Sequence, residues 1–140
     1  MGVAVFDADV LIGYRNRDDP HHEEAFERVR RALQPGTLRL ISAVNYTELL
    51  IGPLRASGQE GADAVDEMLG RLAIETIPVD MAFAQRAAAV RARTNVKLPD
   101  AYAIATALHA ERLGHGDVRL ESFDERVVRA HAREATGDNR

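Results

Sequence analysis

The chain contains no cysteine, which excludes disulfide bonds and thiolate metal ligands. It also lacks any apolar run approaching the roughly 20 residues that a membrane-spanning helix needs, so we expect no contact with a membrane. Two acidic residues, Asp7 and Asp9, stand where a signal peptide would have its apolar core. We therefore expect no export signal and a cytoplasmic location.

Positive charge is scarce as well. The formal net charge is −4, and Lys97 is the only lysine. A protein that binds nucleic acid through a broad basic face is usually positive overall, so the sequence does not support a large basic surface. A nucleic acid can still be a substrate where a bound cation neutralises the phosphate charge locally.

What the chain does contain is enough apolar sequence for one core. Its 140 residues are 46% hydrophobic and 29% charged, which is typical of a single globular domain. It has no repeat, linker or low-complexity segment. We predict one folded domain over 1–135 and a flexible tail over 136–140.

Short apolar runs alternate with amphipathic segments along the chain. Because parallel strands need crossover connections, this alternation predicts a three-layer α/β/α sandwich around a parallel sheet of four or five strands. Pro53 predicts a disturbance in the third helix. The predicted strands are 2–6, 37–42, 73–79 and 117–122, and the predicted helices are 9–17, 20–34, 43–57, 60–72, 80–93, 99–112 and 124–135.

Helical spacing also predicts which side chains face the core. In the helix over 20–34, Phe26, Val29 and Leu33 share the apolar face. In the helix over 43–57, Glu48 lies at the edge of the apolar arc. An ionised carboxylate at that position is costly unless it is paired or bound to a metal.

Acidic residues follow several of the predicted strands. Asp7 ends the first strand, Glu48 lies about one and a half turns into the helix after the second, and Asp124 follows the fourth. In parallel sheets the ligand crevice lies outside the carboxyl ends of the strands. Asp100 begins a helix that no evident strand precedes. Taken singly, each acid at a helix start has a simpler interpretation as a helix cap.

Convergence of these acids would change that interpretation. Two carboxylates about 4–5 Å apart at an effective dielectric near 20 repel each other by roughly 3–4 kcal/mol. Several such pairs require raised pKa values or a bound cation. An all-oxygen cluster without cysteine suits a hard ion, Mg²⁺ or Mn²⁺.

Four stretches of the chain resemble the PIN-domain nucleases, and the length of the chain resembles that of the VapC-type toxins of bacterial toxin–antitoxin pairs. The resemblance implies the PIN-like form of the sandwich and a divalent-metal-dependent endoribonuclease. It runs from residue 3 to about residue 128, in matching order and spacing. The four stretches are VAVFDADVLI, ISAVNYTELL, LPDAYAIATAL and RLESFDERV.

The same resemblance implies the roles of individual residues. Ser122 and Asp9 are supporting residues, and Asp9 is either an outer carboxylate or a helix-start residue. The implied partners are an RNA substrate, a small VapB-type antitoxin and a second copy of the chain in a homodimer. The implied catalytic and metal-binding residues are Asp7, Glu48, Asp100 and Asp124.

Three alternatives stay open. A haloacid-dehalogenase-type phosphatase resembles the pair Asp7 and Asp9, but it wants threonine or valine where this chain has Leu11. A histidine-dependent ribonuclease is disfavoured because the adjacent His21 and His22 point in different directions on a helix. A catalytically inactive PIN-like domain that only binds a partner is the non-enzymatic alternative.

Overall fold

The computed structural model describes residues 2–137. Within this part of the chain, strands and helices alternate as the sequence predicts. They are β1 (Gly2–Phe6), α1 (Ala8–Arg15), α2 (His22–Ala32), β2 (Thr37–Ser42), α3 (Ala43–Ser57), α4 (Gln59–Arg71), β3 (Ile74–Ile77), α5 (Met81–Thr94), α6 (Leu98–Arg112), β4 (Asp117–Glu121) and α7 (Glu125–Thr136).

The four strands form one parallel sheet in the order β3-β2-β1-β4. Side chains of β1 alternate between two cores because successive residues of a strand point to opposite faces. Ala4 and Phe6 pack with α1 to α4, whereas Val3 and Val5 pack with α5 to α7. The predicted three-layer α/β/α sandwich is confirmed, with four strands among the residues described.

The ends of some elements differ from the prediction. The first helix ends at Arg15 instead of 17, and the second begins at His22 instead of Pro20. The last helix includes Thr136, and Gly137 follows it in the left-handed conformation, with φ 74°. Part of the predicted tail is therefore helical or a helix cap, and residues 138–140 of that prediction lie outside the described residues.

The predicted inward face of α2 is wrong for its two largest side chains. Phe26 is 51% exposed and Leu33 is 43% exposed. The helix instead buries small residues, among them Ala25, and it lies close to α1, where an ideal Cβ on Gly13 would be only 3.2 Å from the Cβ of Ala25. This close approach leaves no room for a bulky side chain between the two helices.

Pro53 does not interrupt α3, which runs unbroken from Ala43 to Ser57. The prediction of a disturbed helix is therefore wrong. The carbonyl of Pro53 is covered by α4, because an ideal Cβ on Gly61 would lie only 2.1 Å from the Pro53 carbonyl oxygen. Only glycine permits that approach of the two backbones.

Helix α6 is buried on most of its sides. Its small side chains allow it to lie directly against the sheet. The preceding helix ends at Asn95, which adopts the left-handed conformation with φ 58°, and Pro99 occupies the first turn of α6. The buried residues of α6 are Ala101, Ala103, Ile104, Ala105, Thr106, Ala107 and Ala110. None of the helices within residues 2–137 combines the length and apolarity needed to cross a membrane.

The contact between α3 and α4 gives a first prediction. Gly61→Ala should lower the free energy of unfolding by about 1–3 kcal/mol, the usual cost of overpacking, because the added methyl group meets the Pro53 carbonyl. Chemical denaturation measures this loss. Gly70→Ala is the matched control in the same helix, since a Cβ there meets nothing within 4 Å. Equal stability of the two variants would contradict the prediction.

Candidate active site

Asp7 lies at the carboxyl end of the central strand and is only 5% exposed. One carboxylate oxygen accepts a hydrogen bond from the backbone N–H of Ala8 at 2.8 Å, which caps α1. The other oxygen accepts a hydrogen bond from the hydroxyl of Ser122 at 3.0 Å. Both contacts hold the carboxylate at the edge of the sheet where β1 and β4 end.

Ser122 links Asp7 to a second acid. Its hydroxyl oxygen accepts a hydrogen bond from the backbone N–H of Asp124 at 3.1 Å. Asp124 caps α7, because its Oδ1 accepts a hydrogen bond from the backbone N–H of Arg126 at 2.9 Å. The turn between β4 and α7 thus places Asp124 beside the end of the central strand.

Asp9 lies in the first turn of α1 and is hydrogen-bonded to the connection between β4 and α7. Its Oδ2 accepts a hydrogen bond from the backbone N–H of Phe123 at 3.0 Å. Its Oδ1 is buried and has no hydrogen-bond partner among the described residues. Burial raises the pKa of this carboxyl above its usual range. A buried oxygen without a partner is an acceptor for a cation or a water molecule.

Asn45 joins Glu48 to the first turn of α6. Its side-chain amide donates one hydrogen bond to Glu48 Oε1 at 3.0 Å and another to the carbonyl oxygen of Pro99 at 3.1 Å. The hydroxyl of Ser42 in turn donates to Asn45 Oδ1 at 2.6 Å. This network positions Asp100, the residue after Pro99, although no strand leads into its helix.

Repulsion and burial raise the pKa values at the centre of the site. The pKa of Asp7 rises to about 7, first because the group is buried and then because Asp9 and Asp100 lie nearby. The pKa of Asp100 is raised by burial and by Asp124, and a hydrogen-bonding interaction with the Asp7 carboxyl offsets part of this increase. Two carboxyl groups can share a hydrogen bond only when one of them carries a proton.

Glu48 and Asp124 lie at the two sides of this pair and differ in their electrostatics. Burial raises the pKa of Glu48, and the hydrogen bond from Asn45 offsets part of the increase. In contrast, the guanidinium of Arg126, 3.2 Å from Asp124, lowers the pKa of that carboxyl. Asp124 therefore stays ionised beside the buried acids.

A divalent cation fits the donor set. All candidate ligands are oxygens, as Mg²⁺ and Mn²⁺ prefer, and a cation would relieve the repulsion that raises the pKa of Asp7. Within residues 2–137, no three acidic or histidine side chains converge closely enough to hold an ion by themselves. The arrangement therefore suits an ion that binds one or two carboxylates directly and keeps several water molecules, as Mg²⁺ commonly does.

Sequence reasoning missed several residues that hold the site together. Asn45 precedes Glu48 by three residues, and this one-turn spacing is a signal that could have identified it. Arg28 of α2 carries no such signal. Its guanidinium donates to the carbonyl oxygen of Ser122 at 2.9 Å and lies 4.9 Å from the centre of the Phe123 ring, so it anchors the turn between β4 and α7 from the side.

The histidines have structural partners. His22 forms a hydrogen bond with the carbonyl oxygen of Gly13 at 2.8 Å. His131 pairs with Glu111 at 2.8 Å. The described histidines form no hydrogen bond to the candidate acids, which disfavours a histidine mechanism.

The raised pKa of Asp7 gives a second prediction. The folded protein binds this proton more tightly than the unfolded chain, whose value is near 3.8. The stability that this bound proton contributes is therefore fully present below pH 3.8 and is lost as the pH rises towards about 7. In EDTA, Asp7→Asn should remove most of this loss and be more stable than wild type at pH ~8, by up to about 4 kcal/mol.

Denaturation at a series of pH values measures the effect. Asp80→Asn is the matched control, because Asp80 caps α5 with a 2.8 Å hydrogen bond from Phe83 N–H. Parallel stability profiles for wild type and Asp7→Asn would contradict the prediction.

Comparison with known proteins supports the fold. No curated protein sequence matches the chain. A toxin–antitoxin complex from Klebsiella pneumoniae has 23% identity and a TM-score of 0.64, with 86% of each chain covered. VapBC-1 from nontypeable Haemophilus influenzae has 15% identity and a TM-score of 0.65, with 93% of this chain and 92% of that chain covered. VapC20 of Mycobacterium tuberculosis, named as a sarcin–ricin loop cleaving toxin, has 17% identity and a TM-score of 0.64, with 86% and 91% covered.

A family model gives the stronger assignment. The model of the PIN domain matches residues 4–133, which include most of β1, all of β2 to β4 and every candidate acid. The sequence-based resemblance is therefore confirmed, and the chain belongs to the PIN-domain family.

Proposed function

We propose that this PIN domain is the toxin of a type II toxin–antitoxin pair and that it hydrolyses RNA as a divalent-metal-dependent endoribonuclease. The observation that carries the proposal is the cluster of acids around the buried Asp7, whose pKa rises to about 7 first because the group is buried and then because Asp9 and Asp100 lie nearby. Buried carboxyl groups that repel one another are unfavourable for folding and suit a cation site.

The named structures with the same fold add support. They include toxin–antitoxin complexes and a toxin that cleaves the sarcin–ricin loop. These identities are low, so the specific RNA and the specific partner do not transfer to this chain.

The ion would be held by Asp7 and Asp100, with Glu48 and Asp124 acting directly or through water. When bound, Mg²⁺ or Mn²⁺ lowers the pKa of a coordinated water molecule and neutralises charge on the scissile phosphate.

The chain's own residues hold these acids in position. Ser122 orients Asp7 by its hydrogen bond, and Asn45 orients Glu48 and anchors the start of α6. Asp9 and Arg28 hold the turn that carries Asp124. Each of these groups fixes a carboxylate before substrate binds, so less reorganisation is needed at the reaction step.

The proposed partners follow from the same function. A small VapB-type antitoxin would neutralise the toxin in the cytoplasm, and the toxin would form a homodimer. Helices α2 and α3 expose apolar side chains that suit a partner contact. These side chains are Phe26, Leu33, Ile51 and Leu54.

RNA cleavage tests the enzymatic part. We expect purified protein to cut single-stranded RNA with Mn²⁺ or Mg²⁺, to stop in EDTA, and to leave 5′-phosphate and 3′-hydroxyl ends. Asp7→Asn should lower the rate by at least about 100-fold, because loss of a residue that only supports a metal ligand already costs about 10–100-fold. Asp80→Asn should cleave like wild type, because Asp80 only caps α5.

Other products distinguish the alternatives. Cyclic phosphate ends that persist in EDTA would indicate a histidine mechanism. Hydrolysis of p-nitrophenyl phosphate without RNA cleavage would indicate the phosphatase. Wild-type protein that neither binds Mn²⁺ nor cuts RNA would indicate the third alternative, a catalytically inactive domain that only binds a partner.

Growth of a bacterial host tests the toxin part. Induction of wild type should arrest growth, whereas induction of Asp7→Asn at equal protein levels should not. The expected VapB-type antitoxin should restore growth when it is co-expressed, and it should co-purify with both forms. Normal growth with active, soluble wild-type protein would contradict the toxin assignment while leaving the nuclease assignment in place.

A further inference from the structure

A groove of about 410 Å³ runs from the candidate site along α7, between that helix and the connection from α5 to α6. We name it the α7 groove. Asp100 and Asp124 line one part of it, so it is continuous with the candidate active site. Four cationic side chains also line it, against these two carboxylates. They are Lys97, Arg126, Arg129 and Arg133.

The arginines of the α7 groove form one stripe. Arg126, Arg129 and Arg133 are spaced by three and four residues, so they lie on the same face of α7. At 1.5 Å per residue the stripe is about 10 Å long. A row of guanidinium groups of this length matches a chain of successive phosphates better than a single small anion.

Most of these cations are available to a ligand. Arg129 contacts Glu125 at 3.6 Å with both side chains largely exposed, and such a surface pair contributes little. Within residues 2–137, neither Arg133 nor Lys97 forms a salt bridge, although Lys97 lies close enough to Glu48 and Asp100 to lower their pKa values. Arg126 differs, because its guanidinium is bound to Asp124. The stripe therefore begins at the candidate site and becomes free of acidic partners with distance from it.

The lining of the α7 groove also indicates that the groove does not recognise bases. None of the described residues that line it is aromatic, so it offers no platform on which bases could stack. Phosphate contacts fix the position of a nucleic acid and carry no direct sequence information. The groove chemistry therefore matches a backbone and not a base sequence.

We propose that the α7 groove binds the sugar–phosphate backbone of single-stranded RNA beside the bond that is cut, with Lys97, Arg129 and Arg133 contacting phosphates. This inference rests on the proposed nuclease function. It assigns the polyanion-binding surface to one groove of a protein whose net charge is −4. The groove holds the strand across the site, and sequence preference arises elsewhere.

Binding of short fluorescent RNA tests the proposal. All proteins carry Asp7→Asn so that the RNA stays intact, and anisotropy is measured at several salt concentrations with constant Mg²⁺. Adding Arg129→Gln and Arg133→Gln should weaken binding several-fold for two unrelated sequences. The slope of log K against log salt should become shallower by about 1.4, because each phosphate contact to a single strand contributes about 0.7.

A matched control removes the same charge elsewhere. Arg31→Gln with Arg55→Gln changes two exposed arginines that do not line the α7 groove, and it should leave affinity and slope unchanged. Circular dichroism verifies that both double variants fold. Equal weakening by both pairs would reduce the effect to net charge and overturn the proposal.

The remaining outcomes separate this inference from the function on which it rests. If wild-type protein cleaves RNA but the groove pair binds RNA normally, the α7 groove proposal is overturned and the nuclease stands. The groove would then suit an acidic protein partner instead. If wild-type protein does not cleave RNA and none of the variants binds RNA, both proposals fail.

Discussion

Repulsion among carboxylates at the end of the central strand is the constraint on which the site depends. Asp7 is buried, and Asp9 and Asp100 both raise its pKa. Without a cation, burial and repulsion favour a proton on the Asp7 carboxyl, whose pKa rises to about 7. A divalent ion held by these carboxylates would remove the repulsion and compete with that proton. The repulsion that costs stability would thus favour binding of a metal ion.

Contacts between distant parts of the chain hold these mutually repelling carboxylates in place. Ser122, from the end of β4, holds Asp7 and the backbone of Asp124. Asn45, from α3, holds Glu48 and the first turn of α6. Because these groups also sit at the ends of buried strands and helices, the acids cannot move apart without disturbing both cores.

The sequence was sufficient for the parts of the site that follow local rules. Asp7 and Asp124 could be placed because each directly follows a strand and caps a helix. Asp100 could be placed only through the family resemblance, since no strand precedes α6. Arg28 could not be found, because it acts on Ser122 from 94 positions away in the chain. The exposed Phe26 shows the same limit, since the close approach of α2 to α1 is set by tertiary packing.

Net charge and local charge lead to different conclusions about nucleic acid. A value of −4 argues against a broad basic surface, but it cannot describe a groove in which four cations face two carboxylates. Concentrating the positive charge along α7 places it beside the acids, where it also lowers the pKa of Asp124 through Arg126. In the proposed function, the acidic site attracts a cation and the basic groove beside it attracts phosphates. Since the field of each falls off within about 10 Å at moderate salt, the charge of the rest of the surface has little influence on either.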